Sequence, residues 1–168
     1  MTKLRIGFSP CPNDTFIFDA LIHGKIDTEG LEFDACMADV EELNLMAFRG
    51  ELDITKLSYH AFLHILEEYV MMDSGSALGN NCGPLLIKNV GDKNPIESDL
   101  IAIPGKYTTA NFLLNYAFPK LQNKQEILFS DIESTIKNKQ VSAGLIIHEN
   151  RFTYADRGFE KVKDLGEY

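Results

Sequence analysis

Short apolar runs alternate with amphipathic stretches along most of the chain, and the alternation predicts a repeating strand–helix order. In the first half, Leu4–Phe8, Leu31–Cys36, Leu52–Leu57 and Tyr69–Met72 read as strands. Between them lie three helical patterns. One starts at the Asn13-Asp14 cap and runs through Phe16, Phe18, Ala20 and Leu21. The next opens at Asp39-Val-Glu-Glu, carries Val40, Leu43, Leu45, Met46 and Ala47, and ends near Gly50. The last begins at Ser58 and continues through Leu66. Gly75, Gly79 and Gly83 then loosen the chain, Pro84–Lys88 is extended, and residues 89–98 are polar. A second alternation follows: strand Leu100–Ile103, helix Thr108–Phe118, strand Glu126–Phe129, helix Asp131–Asn138 and strand Ala143–Ile147. Phe159–Tyr168 reads as a strand running back toward the crossing. The expectation is an α/β protein with mostly parallel sheets and helices on both faces, in two lobes, 1–88 and 89–168.

Composition narrows the function. A chain of 168 residues with 45% hydrophobic and 24% charged side chains is ordinary for a globular protein. A net charge of −9 excludes general nucleic-acid binding, which needs a basic footprint. No run approaches the ~20 apolar residues of a membrane span, and the amino terminus enters a strand at once rather than forming a signal peptide. Cys11, Cys36 and Cys82 form no CxxC pair and are odd in number, which fits reduced thiols in the cytoplasm. His60 and His64 lie four apart but belong to no HExxH pattern and fall on a polar helix stripe, so no metal is expected.

Candidate chemistry collects where strands end, the place where α/β proteins bind ligands. After the first strand, Ser9-Pro-Cys-Pro-Asn-Asp-Thr offers Ser9, Asn13, Asp14 and Thr15 as hydrogen-bonding groups around a helix start, either as a rigid capped turn or as an anion seat. Thr55-Lys-Leu-Ser supplies Lys56 as a point charge and Ser58 as a hydroxyl, with a surface lysine and a helix cap as the alternative. Ile103-Pro-Gly-Lys-Tyr-Thr-Thr-Ala places Thr108 and Thr109 at a helix start, equally suited to capping and to binding a carboxylate. The run Leu145–Ile147 stops at His148, whose imidazole is matched to proton transfer near neutral pH, with Glu149 as a nearby orienting carboxylate. Two lobes whose strand ends face one cleft would bring these segments together.

Four segments, Ser9-Pro-Cys-Pro-Asn-Asp-Thr-Phe-Ile-Phe18, Thr55-Lys-Leu-Ser-Tyr59, Pro104-Gly-Lys-Tyr-Thr-Thr-Ala110 and Gly144-Leu-Ile-Ile-His-Glu-Asn-Arg-Phe-Thr-Tyr154, together resemble the 1,4-dihydroxy-6-naphthoate synthase family of the futalosine route to menaquinone. The resemblance implies a two-lobed periplasmic-binding-protein-like fold of type II. It implies a lyase that converts cyclic dehypoxanthinyl futalosine, a small carboxylated substrate, to 1,4-dihydroxy-6-naphthoate and dihydroxyacetone without metal or organic cofactor. His148 would be the general base, with Lys56, Leu57 and Ser58 in one substrate-binding segment and Thr109 with Ala110 in another. Chorismate dehydratase of the same pathway and a non-catalytic small-anion binder of the same fold are the alternatives. Family members are longer, and the resemblance leads us to expect a first lobe without its carboxyl-terminal return segment, exposing apolar surface.

Overall fold

In the computed structural model, which describes residues 3–167, the chain divides into two compact units, one ending at Ala77 and the other beginning at Leu78. The division lies before residue 88, the limit that the glycine-rich stretch and the polar residues 89–98 predict. The reason is Leu85-Leu-Ile87, a fully buried run that pairs on both sides within the second unit.

The first unit is built on a three-stranded parallel sheet of order β2-β1-β3, with β1 at Lys3–Phe8, β2 at Glu32–Met37 and β3 at Ile54–Thr55. Helix α1, Pro12–Ile22, follows β1. Its cap position is Cys11, not Asn13 or Asp14, because Pro12 fits the first helical turn, where its missing N–H costs nothing. Helix α2, Val40–Phe48, starts as its sequence requires: the Asp39 side chain accepts from the Glu41 N–H, and Glu41 and Glu42 lie in the first turn, where the helix dipole favours negative charge. Gly50, at φ +64°, turns the chain away after it. Leu43, Met46 and Leu52 form the core of this unit. Gly7 lets them reach the sheet, since a Cβ there would stand 2.6 Å from Leu52 Cδ1 and 2.9 Å from Leu43 Cδ2.

Two expectations for this unit do not hold. The helix after Ser58 is one turn, α3 at Tyr59–Phe62, after which three-residue turns bend the chain so that Ile65 is buried. Residues 69–72 form no strand: Val70, Met71 and Met72 are exposed and have no ladder to join, and the segment is tied instead by the Tyr69 hydroxyl donating to the Leu52 carbonyl. Leu63 and Leu66 are exposed as well.

The second unit holds a five-stranded mixed sheet of order β6-β5-β7-β4-β8. Its strands are β4 Leu85–Asn89, β5 Ile101–Ile103, β6 Lys124–Glu126, β7 Ala143–Ile146 and β8 Phe159–Asp164. The three central-to-edge strands β6, β5 and β7 run parallel, and β4 is antiparallel to both β7 and β8. Strand β6 ends before the apolar Ile127-Leu-Phe129 that reads as a strand in sequence, because that run turns onto the core and a 3₁₀ turn starts at Phe129. Alternate residues of the strands feed two cores. Leu86, Ile101, Ile103 and Leu145 pack with Leu114 of α4, Thr109–Ala117, whereas Leu85, Ile87, Ala102 and Ile146 pack with Ile132 and Ile136 of α5, Ile132–Lys137. Helices therefore cover both faces, as the sequence predicts. Gly144 permits the close approach of α5: a Cβ there would lie 2.8 Å from Ile132 Cγ2. A last short helix, α6 at Asn150–Thr153, follows β7.

Candidate functional site

Each unit gathers its candidate residues at one edge of its sheet, the carboxyl edge of the parallel strands. In the first unit, Ser9 follows β1 and Lys56 follows β3, and the Lys56 N–H donates to the Gly7 carbonyl at 2.8 Å. The residue that joins them is Asp14, only 6% exposed in the first turn of α1. Its Oδ2 accepts from the Ser9 N–H at 3.0 Å and the Ser9 hydroxyl at 2.8 Å, and its Oδ1 lies 3.5 Å from Lys56 Nζ. The ammonium also donates to the Gly75 carbonyl at 2.6 Å. An ammonium has three donors, so this arrangement retains capacity for a ligand oxygen. Asn13 is exposed on the same turn and Leu57 is half-buried.

Ser58 is held by Asn44, a fully buried amide on α2. The Asn44 Oδ1 accepts from the Ser58 N–H at 2.9 Å, and its Nδ2 donates to the Ser58 hydroxyl at 3.3 Å and to Glu41 Oε2 at 2.9 Å. The Ser58 N–H is thus committed inside the protein, which leaves the hydroxyl hydrogen as the group it can offer. The sequence offers Asp14 only as one of several hydrogen-bonding groups around the helix start, and it does not single out Asn44. Asn44 did leave a signal: it stands beside Leu43 on the face that also carries Ala47, so a polar side chain interrupts an apolar stripe.

In the second unit, the loop after β5 ends at Thr108, 3% exposed, whose hydroxyl donates to the Gly105 carbonyl at 2.8 Å and accepts from the Asn111 N–H at 3.2 Å. Both uses are internal, so Thr108 is the cap of α4. Thr109 is the first residue of that helix and half-buried, and Ala110 packs into the core, leaving its backbone as the polar part of it near the helix start. Asn111 anchors the same loop by donating to the Lys106 carbonyl at 2.8 Å, and its Oδ1 accepts from Lys124 Nζ at 3.0 Å. Burial pushes the Lys124 ammonium below its ordinary pKa.

His148 lies just beyond β7, half-buried, on a residue with φ +56°. Left-handed backbone is unfavourable for a side chain with a Cβ, so the turn that carries this imidazole is a strained one. The ring meets Phe129 edge-on, with centroids 5.6 Å apart and planes at 88°. Phe129 follows β6, so it stands at the same sheet edge. Behind the histidine, Asn150 Nδ2 donates to Glu133 Oε1 at 3.0 Å and Arg157 Nη1 to Glu133 Oε2 at 2.7 Å. Arg151 reaches Asp164 Oδ2 at 2.8 Å and the Gly83 carbonyl. These bonds fix the loop from two sides. Glu149, expected as the orienting carboxylate, is exposed. Among the described residues, no group of three or more His, Cys, Asp or Glu side chains is placed to hold a metal ion.

The family profile for menaquinone biosynthesis matches residues 4–168. The chain belongs to the menaquinone biosynthesis family. Within it, a 1,4-dihydroxy-6-naphthoate synthase from Thermus thermophilus is 44% identical over 168 residues, covering all of this chain and 61% of the relative. A crystal structure of an Archaeoglobus fulgidus protein is 37% identical, with a TM-score of 0.86 over 98% of this chain and 61% of that one. The fold is periplasmic-binding-protein-like: an alkanesulfonate-binding protein from Xanthomonas axonopodis matches with a TM-score of 0.71 at 12% identity, over 98% of this chain and 61% of its own. This family member thus spans about 61% of the length of the curated relative it matches. No helix among its described residues is long and apolar enough to cross a membrane.

Proposed function

We propose that this chain carries out the 1,4-dihydroxy-6-naphthoate synthase reaction, releasing 1,4-dihydroxy-6-naphthoate and dihydroxyacetone from cyclic dehypoxanthinyl futalosine. The observation that carries the proposal is the 44% identity to a synthase of that name along the whole chain. The placement of His148 at the carboxyl edge of parallel strands supports the reading. In it, His148 is the general base that takes one proton from the cyclised, sugar-derived ring. Bond cleavage follows and ends in an aromatic product, so aromatisation supplies the driving force while the protein supplies position and one base. Phe129 restricts the imidazole, and the bonds of Asn150 and Arg151 hold its turn. Lys56 and the Ser58 hydroxyl give hydrogen bonds to substrate oxygens, Leu57 lines the same segment, and Ser9 and Asn13 stand beside it. Thr109 with the Ala110 backbone receives the substrate carboxylate at the start of α4, where the helix dipole favours an anion. The proposal includes a cytoplasmic location, supported by three thiols that form no disulfide.

The test is incubation of the chain and of its His148→Ala variant with cyclic dehypoxanthinyl futalosine, followed by mass spectrometry. Product is expected from the chain, and a loss of at least ~100-fold in rate from the variant, the usual contribution of a general base. An undiminished rate in the variant would remove His148 from the mechanism.

A further inference from the structure

We infer that Asp14 is a positioning residue for ligand binding: it holds the Lys56 ammonium at the sheet edge, in the orientation that meets a ligand oxygen. The inference rests on the proposed role of Lys56. Asp14 divides its two oxygens between two tasks. Oδ2 accepts both Ser9 donors and so closes the turn after β1, which a purely structural role would need. Oδ1 instead faces Lys56 Nζ at 3.5 Å, on the segment that follows β3. The Lys56 side chain is 21% exposed and the Asp14 side chain 8%, so little water screens the pair. A lysine stem is flexible, and a free one at a strand end would spread its charge over many rotamers. Here the carboxylate and the Gly75 carbonyl at 2.6 Å hold the ammonium from two sides. A neighbouring carboxylate also offsets the lysine's charge, so the group offers a directed hydrogen bond in place of a diffuse positive field.

The experiment is isothermal titration of the 168-residue chain with 1,4-dihydroxy-6-naphthoate, for the unsubstituted protein, Lys56→Met, Asp14→Asn and the double variant. Lys56→Met is expected to weaken binding about tenfold, as loss of one hydrogen bond from a charged donor does. Asp14→Asn should weaken it several-fold, and the double variant should bind no more weakly than Lys56→Met alone, because Asp14 acts through that lysine. Unchanged binding by Asp14→Asn, or losses that simply multiply in the double variant, would overturn the inference while leaving the function intact. Unchanged binding by Lys56→Met would overturn the proposed role of Lys56 and this inference with it, and no binding by the unsubstituted chain would count against the proposed function as well. Should Asp14→Asn fail to fold, Asp14→Glu keeps the charge but displaces the carboxylate by one methylene. Weakened binding that vanishes as a difference in the Lys56→Met background supports the inference, and binding equal to the unsubstituted protein refutes it.

Discussion

Replacing Asn44 with alanine tests whether the segment around Ser58 is held by one buried amide. The side chain is 0% exposed and makes three hydrogen bonds, to Glu41 Oε2 and to the N–H and hydroxyl of Ser58. The bond to the Glu41 carboxylate is charge-assisted and contributes about 1.5–3 kcal/mol. Removing the Oδ1 acceptor strands the Ser58 N–H, at a cost of about 1–3 kcal/mol, with the lower end applying because Ser58 is half-buried and water can reach it. The long 3.3 Å contact adds little. The sum is about 3 kcal/mol, and at a slope of about 1.5 kcal/mol/M it lowers the urea midpoint by about 2 M. Because the chain has two units, the melt is paired with hydrogen exchange resolved by segment. Exchange is expected to accelerate across α2 and α3 and to stay unchanged in β5 and β7. Gln122→Ala is the control, an exposed side chain that donates to the Pro119 carbonyl, expected within about 0.5 kcal/mol of the parent. An Asn44→Ala midpoint within about 0.3 M of the parent would refute the reasoning.

Two further outcomes follow from the second unit. Gly83→Ala places a Cβ 2.2 Å from the Gly166 backbone N and 2.4 Å from its Cα, and since backbone cannot rotate away, it should destabilise by about 1–3 kcal/mol, read as a lowered thermal midpoint; an unchanged midpoint would mean that the two strand ends are free to part. Glu160→Gln probes the pair with buried Lys88 at 2.8 Å, whose hydrogen bond and charge hold the Glu160 carboxyl below its ordinary pKa. A lowered folded-state value means that the pair's stabilisation is complete above the unfolded carboxylate pKa of about 4.3 and is lost as pH falls through the lowered value. The gap in thermal midpoint between parent and variant should therefore be open near neutral pH and close as the pH falls below the unfolded carboxylate range, and a gap independent of pH would exclude the ionised pair as its source.

What was legible in the sequence follows from what is local. Asp39 and Gly50 mark the limits of α2 because caps and left-handed glycines act within a turn of their own position. Leu145 to His148 could be read as a strand end because apolar runs and their termination are local as well. Strand pairing is not: Ile127-Leu-Phe129 and Tyr69–Met72 have strand-like composition, but the first keeps only the Ile127 N–H bond to the Ile103 carbonyl and the second joins no ladder, whereas the less apolar Lys124–Glu126 pairs along its length. The unit boundary failed for the same reason, since only the partners of Leu85–Asn89 reveal which sheet it joins.

The site divides along the same line. Residues that follow parallel strands, Ser9, Lys56 and His148, were recoverable from order alone, but the groups that hold them come from elsewhere in the chain: Asn44 for Ser58, Phe129 for His148, Glu133 and Asp164 for the loop behind it. One property of His148 has no sequence signature at all. Its φ of +56° is left-handed backbone, which glycine adopts freely and residues with a Cβ adopt less often. Glycine would make the turn with less strain. The imidazole sits on this turn braced against Phe129, with α6 tied behind it to Glu133 and Asp164, and none of those partners is local enough for the run around His148 to announce it.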